Sequence, residues 1–288
     1  MPDRKVKKIF PFISLPVLLI SFLAIWYFVF LPPVRDLKIV FCDVGQGDGT
    51  LLEFPDGKTA LVDSGPDIKI LECLGKNLPF YRRKIDLVFL SHPDADHVGG
   101  LNYVLNHYKV GRIIESGIGK NTKAYQSFAD TVKAQQIPEI IALQGTEFDI
   151  TSKTKAKVLL PASVSGSTSL NNMSEILLLT YIKEEILFTG DMEKEEATQM
   201  ASFYPKLQAN LIKIPHHGSK YSLDERFYYQ LAPKYAIISV GVKNRYGHPH
   251  KEVLDFLGKR GIEIFRTDQL GDITFETNGA TMKWIKSN

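Results

Sequence analysis

The sequence is poor in cysteine, with only Cys42 and Cys73. Two thiols are too few for a cysteine-ligated zinc site or a disulfide scaffold. Both read as small buried residues. A bond between them is disfavoured, because Cys42 falls in what reads as the middle of a strand. Net charge is also scarce. Residues 1–8 carry four positive residues and one negative, a net +3, and the whole chain is +3. Residues 9–288 therefore sum to zero, and the basic pI is no evidence for nucleic-acid binding by the bulk of the chain. Low-complexity stretches and internal linkers are missing as well, which excludes a disordered or multi-module organisation.

One long hydrophobic run is present. Arg4, Lys5, Lys7 and Lys8 precede 23 uncharged residues from Ile9 to Leu31. About 20 suffice to cross a bilayer as a helix. Basic residues before the run keep the N-terminus inside and place residue 34 onward outside. A cleaved signal sequence is the alternative. The run is long for one, and Trp26 to Leu31 offers no small-residue cleavage pattern. The expected organisation is a basic cytoplasmic tail (1–8), a transmembrane anchor (9–31) and one domain (36–288).

Within the domain, short apolar strands alternate with helices. Leu37–Val44, Thr50–Phe54 and Thr59–Val62 read as an opening meander, with Pro55-Asp56-Gly57-Lys58 as a turn. Ile85–Leu90 and Lys109–Ile114 read as strands. Ile68–Lys76, Leu101–His107 and Ala124–Gln136 read as helices. Two strands are expected between Phe148 and Leu160. The second half repeats the pattern. Ser174–Lys183 and Ile186–Thr189 form a hairpin, and Asn210–Ile214, Tyr235–Val240 and Glu263–Arg266 are further strands. Helices are expected at Glu193–Phe203, Leu223–Leu231 and Lys251–Lys259, and a closing hairpin over Ile273–Ile285. Two such halves suggest two sheets packed face to face and covered by helices.

Chemistry concentrates where these strands end. Residues 92–100 read His-Pro-Asp-Ala-Asp-His-Val-Gly-Gly after the apolar run Leu87–Leu90. His92, Asp94, Asp96 and His97 place four potential metal ligands within six residues, and Gly99-Gly100 permits close backbone approach. A solvated turn has no need of this set. Asp63 ends one strand and Gly190-Asp191 follows another. Pro215-His216-His217-Gly218-Ser219 sets two adjacent histidines after a third, and Tyr246-Gly247-His248-Pro249-His250 adds two more. Of the seven histidines only His107, on a helix, looks incidental.

Asp63, His-x-Asp-x-Asp-His, Gly-Asp and a late histidine loop occur in the order of the metallo-β-lactamase superfamily. Asp43-Val-Gly-Gln-Gly-Asp48, Ser91–Gly100, Asn171-Asn-Met-Ser174, Thr189-Gly-Asp191, Pro215–Ser219 and Asn244-Arg-Tyr-Gly-His-Pro249 narrow the resemblance. They are similar to the extracytoplasmic hydrolase domain of ComEC-type competence (DNA-uptake) proteins, over nearly all of 37–288. The resemblance implies an α/β fold, a four-layer αββα sandwich with its site at one edge between the sheets. It implies that His92 and Asp94 serve a first metal and that Asp96 and His97 serve a second, with Asp191 bridging. One of His216 and His217 completes the second site, with His216 favoured. Asp63 orients the ligand loop from behind.

Two positions depart from the wider superfamily. Asp94 stands where His is common, and Asn171-Asn172 where a further His is usual. Two nitrogen donors are lost, which shifts preference from zinc toward manganese or magnesium. One or two divalent ions are expected. The implied chemistry is metal-assisted phosphodiester hydrolysis, with DNA as the leading substrate. Asp96 orients a water, and Lys220, Arg245 and His248 offset phosphate charge. Gln46, Asp48, Asn172 and Ser219 line the pocket with Arg245. Lys213, Lys220, Lys243, Arg245 and Lys251 form a local basic rim. The competing readings are a hydrolase of another phosphorylated or lactam-type envelope substrate, and a non-catalytic metal- and DNA-binding domain. A single hydrophobic span cannot form a DNA channel, so an uptake role needs a separate membrane channel partner.

Overall fold

The structure is a computed structural model. It describes residues 14–30, 36–163 and 174–286. The chain divides into two compact units, 1–34 and 35–288. In the first, Leu15–Phe30 forms a helix of 16 residues. At 1.5 Å per residue this rises about 24 Å. Among the described residues no helix is long and apolar enough to cross a membrane. The basic tail 1–8, and residues 9–13 and 31 of the expected span, lie outside the described residues.

The second unit is built on two large sheets. Among the described residues, one has the strand order Met282–Ile285, Ile273–Thr277, Leu37–Phe41, Gly49–Glu53, Thr59–Ser64, Leu87–Leu90, Ile113–Glu115 and Glu139–Ile141. The other runs Glu263–Arg266, Tyr235–Ile238, Leu211–Lys213, Glu184–Phe188, Ile176–Tyr181, Thr154–Leu160 and Glu147–Thr151. Their facing sides share one apolar core that includes Ile39, Phe41, Phe89, Leu177, Phe188 and Phe275. The outer face of the first sheet packs on helices Lys69–Asn77, Leu101–His107 and Lys123–Ala134 through Leu74, Leu101, Val104 and Phe128. The outer face of the second packs on Lys194–Phe203, Glu225–Leu231 and Lys251–Lys259 through Met200, Phe227 and Leu257. Strands buried on both faces explain the near-continuous apolar runs that mark them in the sequence.

The site is positioned by parallel pairing. In the first sheet Thr59–Ser64, Leu87–Leu90 and Ile113–Glu115 run parallel. In the second, Glu184–Phe188, Leu211–Lys213, Tyr235–Ile238 and Glu263–Arg266 do so. Parallel strands gather their carboxyl ends along one edge, where sheets of this type bind ligands. His92–Gly100, Gly190-Asp191 and His216-His217 each follow such an end, and Asp63 lies at one.

Three local expectations need correction. Cys42 and Cys73 form a disulfide with their Cα atoms 5.7 Å apart. Strand Leu37–Phe41 stops before Cys42, so that residue is free to turn toward Cys73 on the helix Lys69–Asn77. The expected strand Lys109–Ile114 is broken in two. Lys109–Val110 pairs with Lys84–Ile85 in a small separate sheet, and Ile113–Glu115 joins the large one. The edge strand Glu139–Ile141 was not anticipated, because after Pro138 only three residues adopt it.

Candidate metal centre

Strand ends place the donors, and strained turns aim them. After Leu87–Leu90 the chain leaves the sheet at Ser91, and Asp94 starts the short helix Ala95–Val98. Asp63, His216 and His217 all hold positive φ, at 55°, 47° and 55°. Non-glycine residues adopt this region at a cost and cluster at functional sites. Gly47 has φ 144°, and a Cβ there would meet the backbone oxygen of Asp96 at 2.3 Å. Only glycine lets the Asp43–Asp48 turn lie this close, and Asp48 N donates to that same oxygen at 3.1 Å.

Asp96, His97, Asp191 and His217 bring one ligand atom each within 4.8 Å of one another. His97 Nε2 lies 3.2 Å from Asp191 Oδ1, and His217 Nε2 lies 3.3 Å from Asp96 Oδ2 and 3.6 Å from Asp191 Oδ1. Yet His97 Nε2, His217 Nε2 and Asp191 Oδ1 are buried without a hydrogen-bond partner. Buried polar atoms are rarely left so. Converging on one point, they fit a divalent cation.

The opposite ring nitrogens are held firmly. His217 Nδ1 lies 2.9 Å from the carbonyl of Ser239, which can only accept, so Nδ1 donates and the lone pair of the neutral ring sits on Nε2. His97 Nδ1 donates to Asp63 Oδ2 at 2.9 Å. Asp63 also accepts from Ser91 N at 2.8 Å and Ser91 Oγ at 2.7 Å. A carboxylate and a carbonyl behind ligating imidazoles fix their tautomer and orientation.

Charge balance points the same way. Burial alone would push the His97 and His217 imidazoles toward the neutral form. Asp191 with Asp63 and Asp48 overcomes this for His97 and holds its pKa well up. Asp191 and Asp48 do the same for His217, raising it to about 9. Burial would raise the Asp191 and Asp96 carboxyls. Nearby His217 and His97 hold both below the usual carboxylate range instead. A cation would take over this positive charge as the rings release their protons.

The other expected ligands are arranged differently. His92 is buried, with Nδ1 3.0 Å from Ser91 Oγ and Nε2 unpartnered. Burial and then the His97 charge lower its pKa to about 4. Asp94 is outside the cluster, because Lys120 Nζ donates to its Oδ1 at 2.6 Å. His216 is also outside. Its Nε2 is 3.7 Å from Asp191 Oδ2, and its side chain keeps 27% exposure against 2% for His217. The geometry thus selects His217 over His216: the Ser239 carbonyl holds His217 Nδ1, which leaves Nε2 facing the cluster.

Of the residues expected to meet substrate, Gln46 and Arg245 line a groove that shares Asp96 with the cluster. Asp48 does not. It is buried beneath the ligands, ion-paired with Lys213 and 3.3 Å from His217 Nδ1. The Ser219 hydroxyl is turned inward to accept from Tyr221 N. Lys220 Nζ sits 3.7 Å from Glu252 Oε1. His248 lies beside the histidine turn, its ring 5.7 Å from that of His216. Burial and then the charges of His217, His216 and His250 depress it to about 4. Asn172 lies outside the described residues.

Lys213 was misplaced from the sequence. It is 2% exposed and belongs to no rim. Its Nζ donates to Gly190 O at 3.1 Å, pairs with Asp48 and lies 4.0 Å from Asp191 Oδ1. The available signal was its place in the apolar strand Leu211–Lys213, directly before the histidine turn.

Comparison with known proteins agrees with this geometry. Residues 42–169 match the sequence profile of the Metallo-beta-lactamase superfamily. ComE operon protein 3 of Bacillus subtilis is 30% identical over 262 residues, covering 83% of this chain and 33% of the relative. Recombination protein 2 of Haemophilus influenzae is 29% identical over 239 residues, covering 80% and 28%. The chain thus spans about a third of the length of these curated relatives. Among solved structures, the metallo-beta-lactamase fold protein YhfI of Bacillus subtilis aligns with TM-score 0.56 at 14% identity, over 84% of this chain and 100% of that one. Profile and site order give residues 42–169 a metallo-beta-lactamase domain, and the chain is similar over most of its length to the ComEC-type competence proteins.

Proposed function

We propose that this chain is a metal-dependent phosphodiesterase acting on DNA, held at the cell membrane with residues 36–288 outside. The observation that carries the hydrolytic part is the convergence of unbonded His97, His217 and Asp191 atoms with Asp96 on a point beside an open groove. Two imidazoles and two carboxylates would hold a divalent ion, manganese or zinc with magnesium as a further candidate. Such an ion lowers the pKa of a bound water and neutralises phosphoryl oxygens.

The chain's own residues do the rest. Asp96 belongs to both the cluster and the groove, and its side chain is 34% exposed. It can therefore accept a hydrogen bond from an attacking water. His217 and Asp48 keep that carboxylate and its surroundings in place, through contacts at 3.3 Å each. Asp63 fixes the ring plane of His97. Arg245 and Lys69 are the groove cations able to meet a phosphate.

The location rests on the basic tail and the apolar run of the sequence, together with the Cys42–Cys73 disulfide. Disulfides persist in oxidising compartments outside the cytoplasm.

The test uses the full chain loaded with Mn²⁺, Zn²⁺ or Mg²⁺. Cleavage of single-stranded DNA, lost in Asp96→Ala and His217→Ala, is the expected result. A metal-replete chain that leaves DNA intact overturns the reading. Turnover of a phosphorylated polymer or lactam instead would identify the alternative hydrolase.

A further inference from the structure

One wall of the groove beside the cluster has no part in holding a metal. The groove measures about 500 Å³ and reaches from Asp96 past Gln46 and Lys69 to Arg245 and Tyr246. A single phosphate at the cluster would leave most of it empty. Its shape is built in. The Asn244 side chain donates to Gly241 O at 3.1 Å and His248 O at 2.7 Å, and accepts from Tyr246 N at 3.2 Å and His248 N at 3.0 Å. Gly241 N donates to Gln46 Oε1 at 3.3 Å, and a Cβ on Gly241 would strike Gln46 N at 2.8 Å. The two walls are locked together by these contacts.

The loop presents a stacked column. Tyr246 is 50% exposed, and its ring stacks on His248 at 5.7 Å with 24° between planes. The Arg245 guanidinium lies 4.9 Å from the same ring, and its Nη2 donates to Tyr246 Oη at 2.8 Å. Planar groups ordered in advance and open to water suit a flat ligand. Bases of single strands stack on aromatic and guanidinium planes, whereas a base inside a duplex has no free face to offer. Asp67 and Asp96 also line the groove, so Lys69 and Arg245 make it mixed in charge rather than a basic trough.

We propose that this groove is a subsite for the nucleotide next to the scissile phosphodiester of a single-stranded nucleic acid. The base stacks on the Arg245–Tyr246–His248 column, and Lys69 and Gln46 meet its sugar-phosphate. This rests on, and deepens, the phosphodiesterase reading.

Binding is measured on the Mn²⁺-loaded full chain by fluorescence anisotropy. The probe is a labelled phosphorothioate oligothymidylate, which resists hydrolysis, with a duplex and an abasic oligomer as comparisons. Tyr246→Ala weakens single-strand binding roughly tenfold, in keeping with the usual contribution of one stacked base. Tyr246→Phe, which keeps the ring, stays within about twofold of wild type. The abasic oligomer does not distinguish wild type from Tyr246→Ala, and the duplex binds more weakly than the single strand. Equal oligothymidylate binding by wild type and Tyr246→Ala overturns the subsite, as does no binding by wild type. Tyr246-dependent binding without cleavage of ordinary DNA leaves the subsite standing and sinks the hydrolase reading.

Discussion

His216 and His217 are adjacent and chemically identical, and both hold a left-handed backbone. Only His217 reaches the cluster, because its Nδ1 is captured by the carbonyl of Ser239 on the neighbouring parallel strand's extension. Their sequence context distinguishes them by nothing that a reader can use. His217→Ala is expected to lower metal affinity at least tenfold and His216→Ala much less, checked by bound metal per chain after dialysis. Asp63→Asn, which removes the carboxylate that accepts from His97 and from Ser91, should cost roughly 10- to 100-fold in the same measurement. Lys213 offers a separate readout. Replacing this buried cation with Met removes the lysine from Asp48, leaves it only the histidines, and should cost about 3–5 kcal/mol in urea unfolding. A stability change below 1 kcal/mol, taken as roughly the level of a surface pair, would remove Lys213 from the ionic core of the site.

At the scale of elements, the disulfide ties the strand carrying the Asp43–Asp48 turn to the helix Lys69–Asn77. Its partners are 31 residues apart. Closing a loop of that length stabilises a fold by about 3–4 kcal/mol on the chain-entropy account. Cys73→Ser should therefore unfold at lower urea by that amount, and reducing agent should affect the wild type alone. The strand Ile113–Glu115 makes a second prediction. Glu115 is buried at its end, and burial followed by the charge of Glu139 raises its carboxyl to about 7. The folded state then holds a proton that the unfolded chain releases above roughly pH 4. Its contribution is complete below that pH and is lost as pH rises through about 7. Glu115→Gln should flatten the fall in melting temperature between about pH 4 and 7, the window these two pKa values bracket. A wild-type and variant pair with parallel pH profiles would refute this.

For the whole molecule, zero net charge over 9–288 leaves the proposed recognition of DNA to a few local cations. Lys220 and Lys251 are paired with Glu252 and Asp255, and Lys213 is buried. Arg245 and Lys69 remain at the groove. With two phosphate contacts, affinity for a single strand should fall roughly 7-fold as salt rises from about 50 to 200 mM. A slope near zero would point to a small uncharged substrate. A much steeper one would mean a larger basic surface than these residues supply.

The sequence alone carried the ligand types, the strand-then-donor grammar and the family order, because each depends on neighbours along the chain. Ile85–Leu90 reads as a buried strand from its apolar run, and His92–Gly100 as a ligand loop from its composition. The sequence did not reveal that His217 rather than His216 enters the cluster, that Lys120 draws Asp94 aside, that Lys213 is an internal cation, or that Cys42 meets Cys73. Each of these is a contact between residues far apart in sequence, Asp94–Lys120 by 26 positions and Asp48–Lys213 by more than a hundred. Only the parallel register of two sheets, which gathers their carboxyl ends on one edge, decides which of those atoms converge.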